Sequence, residues 1–196
     1  TLVPGDTNGK LDVFVHGVQG GQTRRVSVSS SGLQGNGDSQ IAVISPDGRF
    51  VAFSSSATNL VPGDTNGAYD IFIHERATAK TTRVSVGAGG AQANSESLYA
   101  ALSADGRYVA FQSLASNLIA ADANGECDIF VHDRVSHTTQ RISVATDGTE
   151  AFWGPSFTPT ISANGQTIAF EREFGVWTLD TASGKTRPVS IRLSGS

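Results

Sequence analysis

The sequence predicts an all-β protein, a β-propeller of four-stranded antiparallel blades, and three observations predict it. The chain repeats itself at a step of 58 residues: Asp6, Asp64 and Asp122, then His16, His74 and His132, then Gly32, Gly90 and Gly148. Short runs of Val, Ile and Phe alternate with clusters of Gly, Asn, Asp and Ser, and the composition includes 22 glycines and no methionine. Each repeat also places a Gly turn between two apolar runs, the signature of a tight hairpin. Self-similarity at this period, built from strands, points to propeller blades or another repeat array.

The elements follow in order. Residues 1–28 supply half a blade, with strands expected at 12–16 and 24–28. A full blade follows at 41–86, opening with IAVIS (41–45) and RFVAFS (49–54) around Pro46-Asp47-Gly48. In that turn Pro presets φ and Gly accepts a positive φ. DIFIHE (70–75) and TRVSV (82–86) are the third and fourth strands. The next blade, 98–144, uses Asp105-Gly106 as its turn, with later strands at 128–133 and 139–144. The last, 157–191, uses Asn164-Gly165, with later strands at 175–180 and 186–191. One residue is added in that copy, since Phe53 and Phe111 are 58 apart but Phe111 and Phe170 are 59 apart. The runs VFV, IFI and IFV do not alternate with polar residues, as expected where both faces of a blade are covered.

The pattern S-P-D-G-R-x-V-A-F, then D-I-F-x-x-(D/E)-R, then T-R-V-S resembles the blade repeat of TolB-like, WD40-like β-propellers. It recurs across essentially the whole chain. The resemblance implies the fold; propellers of this kind serve as partner-binding platforms, as substrate gates on peptidases and as modules of surface proteins. Three and a half blades leave two strand edges open, whereas closed rings use about 4–8 blades. The expectation is therefore a chain that continues or assembles with another copy, so that further blades, or a protein partner, complete the ring.

The octapeptide LVPGDTNG stands at 2–9 and again at 60–67, with LIAADANG at 118–125. These loops gather side-chain oxygens at Asp6, Asn8 and Asp12, at Asp64, Asn66 and Asp70, and at Asp122, Asn124 and Asp128. Oxygens at alternate positions beside a Gly turn are what a calcium loop requires. The fifth-position carboxylate of the D-x-N-x-D-G loop is missing, however, and three side chains cannot fill the about 6–8 places around calcium. The alternative is turn chemistry: an Asx-turn, an Asn-Gly with positive φ, and a last Asp that accepts backbone N–H groups. Gly175 replaces the last Asp in the final blade, so a metal site, if present in the others, is not expected there.

His16, His74 and His132 lie one per blade, too far apart for a shared zinc ion, and are expected to pack between blades beside Phe14, Phe72 and Phe130. Arg25, Arg83 and Arg141, one per fourth strand, are expected to form ion pairs with Glu75, Asp133 or a loop carboxylate. The serines include no G-x-S-x-G elbow, and GLQGNG at 32–37 follows no strand-to-helix pattern, so neither a catalytic residue nor a phosphate cradle is indicated. Loops joining successive blades lie on one rim, where repeat folds bind partners. One of them carries Phe152 and Trp153, the best candidates for protein or carbohydrate contact, with burial of the pair under the inserted residue as the alternative.

With 14 Lys plus Arg against 18 Asp plus Glu, the net charge of -4 gives no reason to expect nucleic acid. No apolar run is long enough for a membrane helix, so no membrane insertion is expected. Cys127 is the single cysteine and cannot form a disulfide within the chain. The resemblance favours a non-catalytic binding or structural module of a secreted or periplasmic bacterial protein. Its competitors are the propeller portion of a prolyl-oligopeptidase-like hydrolase and a calcium-dependent adhesion or matrix module.

Overall fold

A computed structural model describes residues 2–120, 122–145, 155–172, 175–183 and 185–189. A two-stranded sheet comes first, β1 (Phe14–His16) paired antiparallel with β2 (Thr23–Arg25). Three four-stranded meanders follow. They are β3 (Ser39–Ile44), β4 (Phe50–Ser55), β5 (Asp70–Glu75) and β6 (Lys80–Arg83); β7 (Ser97–Leu102), β8 (Tyr108–Ser113), β9 (Asp128–Asp133) and β10 (Thr138–Arg141); and β11 (Ser156–Ile161), β12 (Thr167–Arg172), β13 (Gly175–Asp180) and β14 (Lys185–Pro188). Every pairing is antiparallel between strands consecutive in the chain, as short hairpin connections require.

The first hairpin of each blade is set by a short side-chain circuit. Ser45 Oγ donates to Asp47 Oδ1 at 2.6 Å and accepts from Phe50 N–H at 3.0 Å, while Asp47 also accepts from Arg49 N–H at 3.0 Å. Gly48 takes φ +70°, which a side chain would strain. The same circuit recurs around Ser103 and Asp105, and around Ser162 and Asn164.

The fourth strands end earlier than the sequence suggested, at Arg83 and Arg141 in place of 86 and 144. Val84 N–H still bonds Ile71 O, but Val86 N–H turns back onto Val84 O, a tight turn that peels the chain off the sheet. Each first strand also holds an irregularity that the sequence did not signal. The register shifts between Gln40 and Val43, Leu98 and Ala101, and Phe157 and Thr160. The residues Ile41, Tyr99 and Thr158 at these bulges have φ of +50°, +54° and +46°. No Gly or Asn marks them, so the strain is held by the surrounding ladder.

The core lies between blades, not within one. Phe53 and Phe72 face back onto Val13 and Val26 of the half blade. Ala52, Ile71 and Ile73 face forward onto Phe111 and Phe130 of the next blade. Ile129 and Ile142 meet Ile168 and Phe170 in the same way. Period-two alternation thus sends side chains to two different apolar interfaces, which is why β5 and β9 are buried over their first five residues. Truncating a fully buried ring such as Phe53 to Ala is expected to cost about 3–5 kcal/mol.

Polar contacts fix the blades against each other. The hydroxyls of Thr81, Thr139 and Thr186 donate to Val28 O, Val86 O and Val144 O of the preceding repeat. His74 and His132 each place Nδ1 2.9 Å from the Thr81 or Thr139 hydroxyl. The single hydroxyl proton is already given to the carbonyl, so the imidazole Nδ1–H is the donor. Burial pushes both imidazoles down, that of His132 to about 4. Gly106 approaches Phe50 of the preceding blade so closely that a Cβ would press into its ring, and Gly165 stands likewise against Tyr108. Cys127 is free and buried.

Candidate functional site

In the three repeated loops, the first and last carboxylates converge on the arginine of the fourth strand. Arg25 Nη1 lies 3.1 Å from both Asp6 Oδ1 and Asp12 Oδ2. Arg83 Nη1 is 3.4 Å from Asp64 Oδ1 and from Asp70 Oδ2. Arg141 Nη1 is 3.3 Å from Asp122 Oδ1 and 3.4 Å from Asp128 Oδ2. The arginine side chains retain only 6–11% of their exposure, and Asp70 retains none.

The other oxygen of the last Asp is also committed. Asp70 Oδ1 accepts from Ser85 Oγ at 2.6 Å, and that oxygen accepts from Ile71 N–H at 3.0 Å. Ser27 bridges Asp12 to Val13 N–H, and Ser143 bridges Asp128 to Ile129 N–H. The fourth strand is therefore tied to the third by a charged clamp at the point where the third strand begins. Burial raises the Asp64 and Asp70 carboxyls above the ordinary range, and the Arg83 charge opposes that rise. Asp70 is further held down by its Ser85 and Asn66 hydrogen bonds.

The asparagines close each loop. Asn66 Nδ2 donates to Asp70 Oδ2 at 3.0 Å and to Ala93 O at 2.9 Å, while its Oδ1 accepts from Ala68 N–H at 3.1 Å. These partners fix the orientation of the amide, because two are pure acceptors and the third is a donor. Asn8 is placed identically on Asp12, Gly35 O and Lys10 N–H, and Asn124 Nδ2 donates to Asp128 at 3.2 Å. A calcium ion needs about 6–8 oxygen atoms turned toward one point. Here an amide N–H2 group and a guanidinium, both donors, face the carboxylates of each loop.

The last blade carries a natural comparison. By strand register, Gly175 stands where Asp70 and Asp128 stand, and Pro188 stands where Arg83 and Arg141 stand. Acid and base are missing together, as partners of one ion pair would be. The sequence held the signal: in all three loops the arginine follows the two aspartates by 19 and 13 residues.

Other expected sites fall elsewhere. Glu75 and Asp133 do not pair with Arg83 and Arg141; Glu75 lies 3.5 Å from Arg49 and Asp133 lies 2.7 Å from Arg107, both turn arginines immediately before the adjacent second strand. His74 and His132 occupy separate blades, and among the described residues no three His, Cys, Asp or Glu side chains converge as a metal centre. The rim connections are tied internally: Gln34 Nε2 donates to Thr7 Oγ1 of one loop, while Asn36 Nδ2 donates to Thr58 Oγ1 and the Asn36 main-chain N–H to Asn59 Oδ1 of the next blade. Phe152 and Trp153 lie outside the described residues. No helix among the described residues is long and apolar enough to cross a membrane.

No protein-family model matches the chain, and no curated protein does. Solved structures do match. TolB from Acinetobacter baumannii is 19% identical with a TM-score of 0.54, over 90% of this chain and 37% of that one. A putative TolB from Agrobacterium tumefaciens is 18% identical with a TM-score of 0.56, over 92% and 56% respectively. The dipeptidyl peptidase 4 of Porphyromonas gingivalis is 16% identical with a TM-score of 0.56, over 90% of this chain and 28% of that one. The chain thus spans about 37–56% of the length of the TolB structures it matches. Three complete meander blades, half of a fourth, and cores placed between the sheets give the chain the fold of a TolB-like β-propeller.

Proposed function

We propose that the chain is a non-catalytic propeller module of a secreted or periplasmic bacterial protein, serving as a binding or structural platform, with further blades completing its ring. The observation that carries this reading is the use to which the recurring polar residues are put. Asp, Asn, Ser, Arg, His and Thr recur in the repeats as clamps within blades and ties between them. The hydroxyls of Ser85 and Ser143 donate to carboxylates and accept main-chain N–H groups, which leaves them no role as nucleophiles. In the same reading the cation of each D-x-N-G loop is the arginine of its own blade, and calcium is not needed.

Further blades are supported by the half blade itself. It carries the complete Asp6–Asp12–Arg25 clamp, yet among the described residues β1 pairs only with β2, where β5 and β9 each have a strand on both sides. A second reading, the propeller of a peptidase, draws on the similarity to dipeptidyl peptidase 4.

Photo-reactive residues placed at Leu33 on a rim connection and at Val135 on an outer turn, 62% and 68% exposed, test the platform. A discrete protein adduct from Leu33 and none from Val135 is expected; indistinguishable adduct patterns from the two positions would overturn it. For the peptidase reading, a fluorophosphonate probe should label no serine of residues 1–196.

A further inference from the structure

Between the first and second complete blades, β6 faces the β9–β10 turn across a cleft of about 630 Å3. Its lining includes the apolar Pro62, Val84 and Val86 and the basic Lys80, Arg134 and His137. Volume and lining fall in the range of small-molecule sites, which are largely apolar with a few placed polar groups.

Lys80 and His137 are not part of the repeated framework, whereas Arg134 keeps the carbonyl contact that Arg76 makes in the preceding blade. Structural contacts in this molecule recur from blade to blade, and Lys80 and His137 depart from the repeat. Where this gap has Lys80, the preceding gap has Gln22 and the following one Thr138. Where it has His137, the others have Ala79 and Gly184; Arg134 recurs as Arg76 but gives way to Thr181.

Nor are the charges already neutralised. Arg134 is half-buried, its guanidinium 5.0 Å from the centre of the Phe50 ring and its Nη1 donating to Gly106 O at 2.7 Å. It makes no ion pair among the described residues. The acids that act on it through space are committed elsewhere: Glu75 lies 3.5 Å from Arg49, and Asp105 accepts from Ser103 Oγ at 2.6 Å. Lys80 stands opposite Glu75 across the strand pair, and the Glu75 carboxylate accepts from Thr78 as well as facing Arg49.

We propose that this cleft binds a small organic anion, with its anionic group against Lys80, Arg134 and His137 and its apolar body along Pro62, Val84 and Val86. A carboxylate or a phosphate would be recognised by the same donors, through charge-assisted hydrogen bonds that a neutral isostere cannot make fully.

The test titrates the protein with 2-naphthoate, 2-naphthyl phosphate and the neutral 2-naphthamide, followed by amide chemical shifts. Saturable shifts at Val84, Gly89 and His137 are expected for at least one anion, and the tighter of the two identifies the preferred anionic group. The amide should bind at least tenfold more weakly. The double variant Lys80→Gln/His137→Ala installs residues that the preceding gap already carries, so it should fold, and it should lose at least tenfold in affinity for the anion. Equal binding of amide and anion, unchanged affinity in the double variant, or no saturable shift with either anion would each overturn the proposal.

Discussion

Replacing Asp70 by Ala should destabilise the protein by about 3–5 kcal/mol, the range for removing one partner of a buried ion pair. Three groups are left short of a partner. Arg83 keeps only Asp64, at 3.4 Å, while Ser85 Oγ loses its 2.6 Å acceptor and Asn66 Nδ2 its 3.0 Å acceptor. Asp70 is fully buried, so water does not replace those bonds without opening the blade edge. For a domain of this size each kcal/mol moves the melting temperature by about 2–4 °C, so a fall of about 10 °C is expected. Urea denaturation of the wild type, Asp70→Ala, Arg83→Ala and the double variant would give the coupling directly, about 1–3 kcal/mol for contacting residues. Arg49→Ala serves as the control, because its pair with Glu75 joins a side chain 56% exposed and should contribute under about 1 kcal/mol. If Asp70→Ala stays within about 1 kcal/mol of the wild type, or if it and Arg83→Ala are additive, the clamp does not hold the blade.

Two further predictions address the packing between blades. Gly106→Ala must accommodate both φ of +69° and a Cβ pressed into the Phe50 ring, whereas Gly48→Ala meets only the end of Arg76 at 3.2 Å with φ of +70°. The backbone penalty is common to both, so Gly106→Ala should be the worse by about 1–3 kcal/mol of overpacking in chemical denaturation; equal effects would deny the contact. His132 has a folded pKa pushed down to about 4, against about 6.5 in the unfolded chain. Its stability contribution is therefore full above pH 6.5 and is lost as pH falls toward 4, by about 2–3 kcal/mol. His132→Leu, which copies Leu179 of the last blade, should flatten that stretch of the stability profile; an unchanged acid limb would contradict the buried neutral imidazole.

The blades were legible in the sequence because their turns depend on local chemistry. Ser-Pro-Asp-Gly and its copies announce a hairpin through φ preferences that survive in any context. The arginine clamp was half legible: Arg25, Arg83 and Arg141 recur, and a loop carboxylate was among their expected partners, but nothing local separated that partner from Glu75 or Asp133. The choice rests on register. Phe72 lies opposite Arg83, which brings the guanidinium beside the loop at the start of β5, while Glu75 sits at the far end of the strand beside Arg49.

The bulges at Ile41, Tyr99 and Thr158 were not legible at all, because positive φ is there imposed by the ladder on residues that disfavour it. The ties of Thr81, Thr139 and Thr186 to the preceding repeat were hidden for a similar reason. Val28 and Thr81 are 53 residues apart, and only the stacking of blades brings them together. Lys80 and His137, which line the cleft, break the repeat where the clamp and tie residues keep it.

The most direct test of the arginine clamp is the melting temperature of the protein in excess chelator and in millimolar calcium. With arginine as the cation of the D-x-N-G loops, the two curves should coincide within about 1 °C. A calcium ion held at 100 times its Kd would add about 2.7 kcal/mol, which corresponds to roughly 5–10 °C. A chelator-induced fall of that size, restored by calcium and diminished in Asp64→Ala, would contradict the clamp.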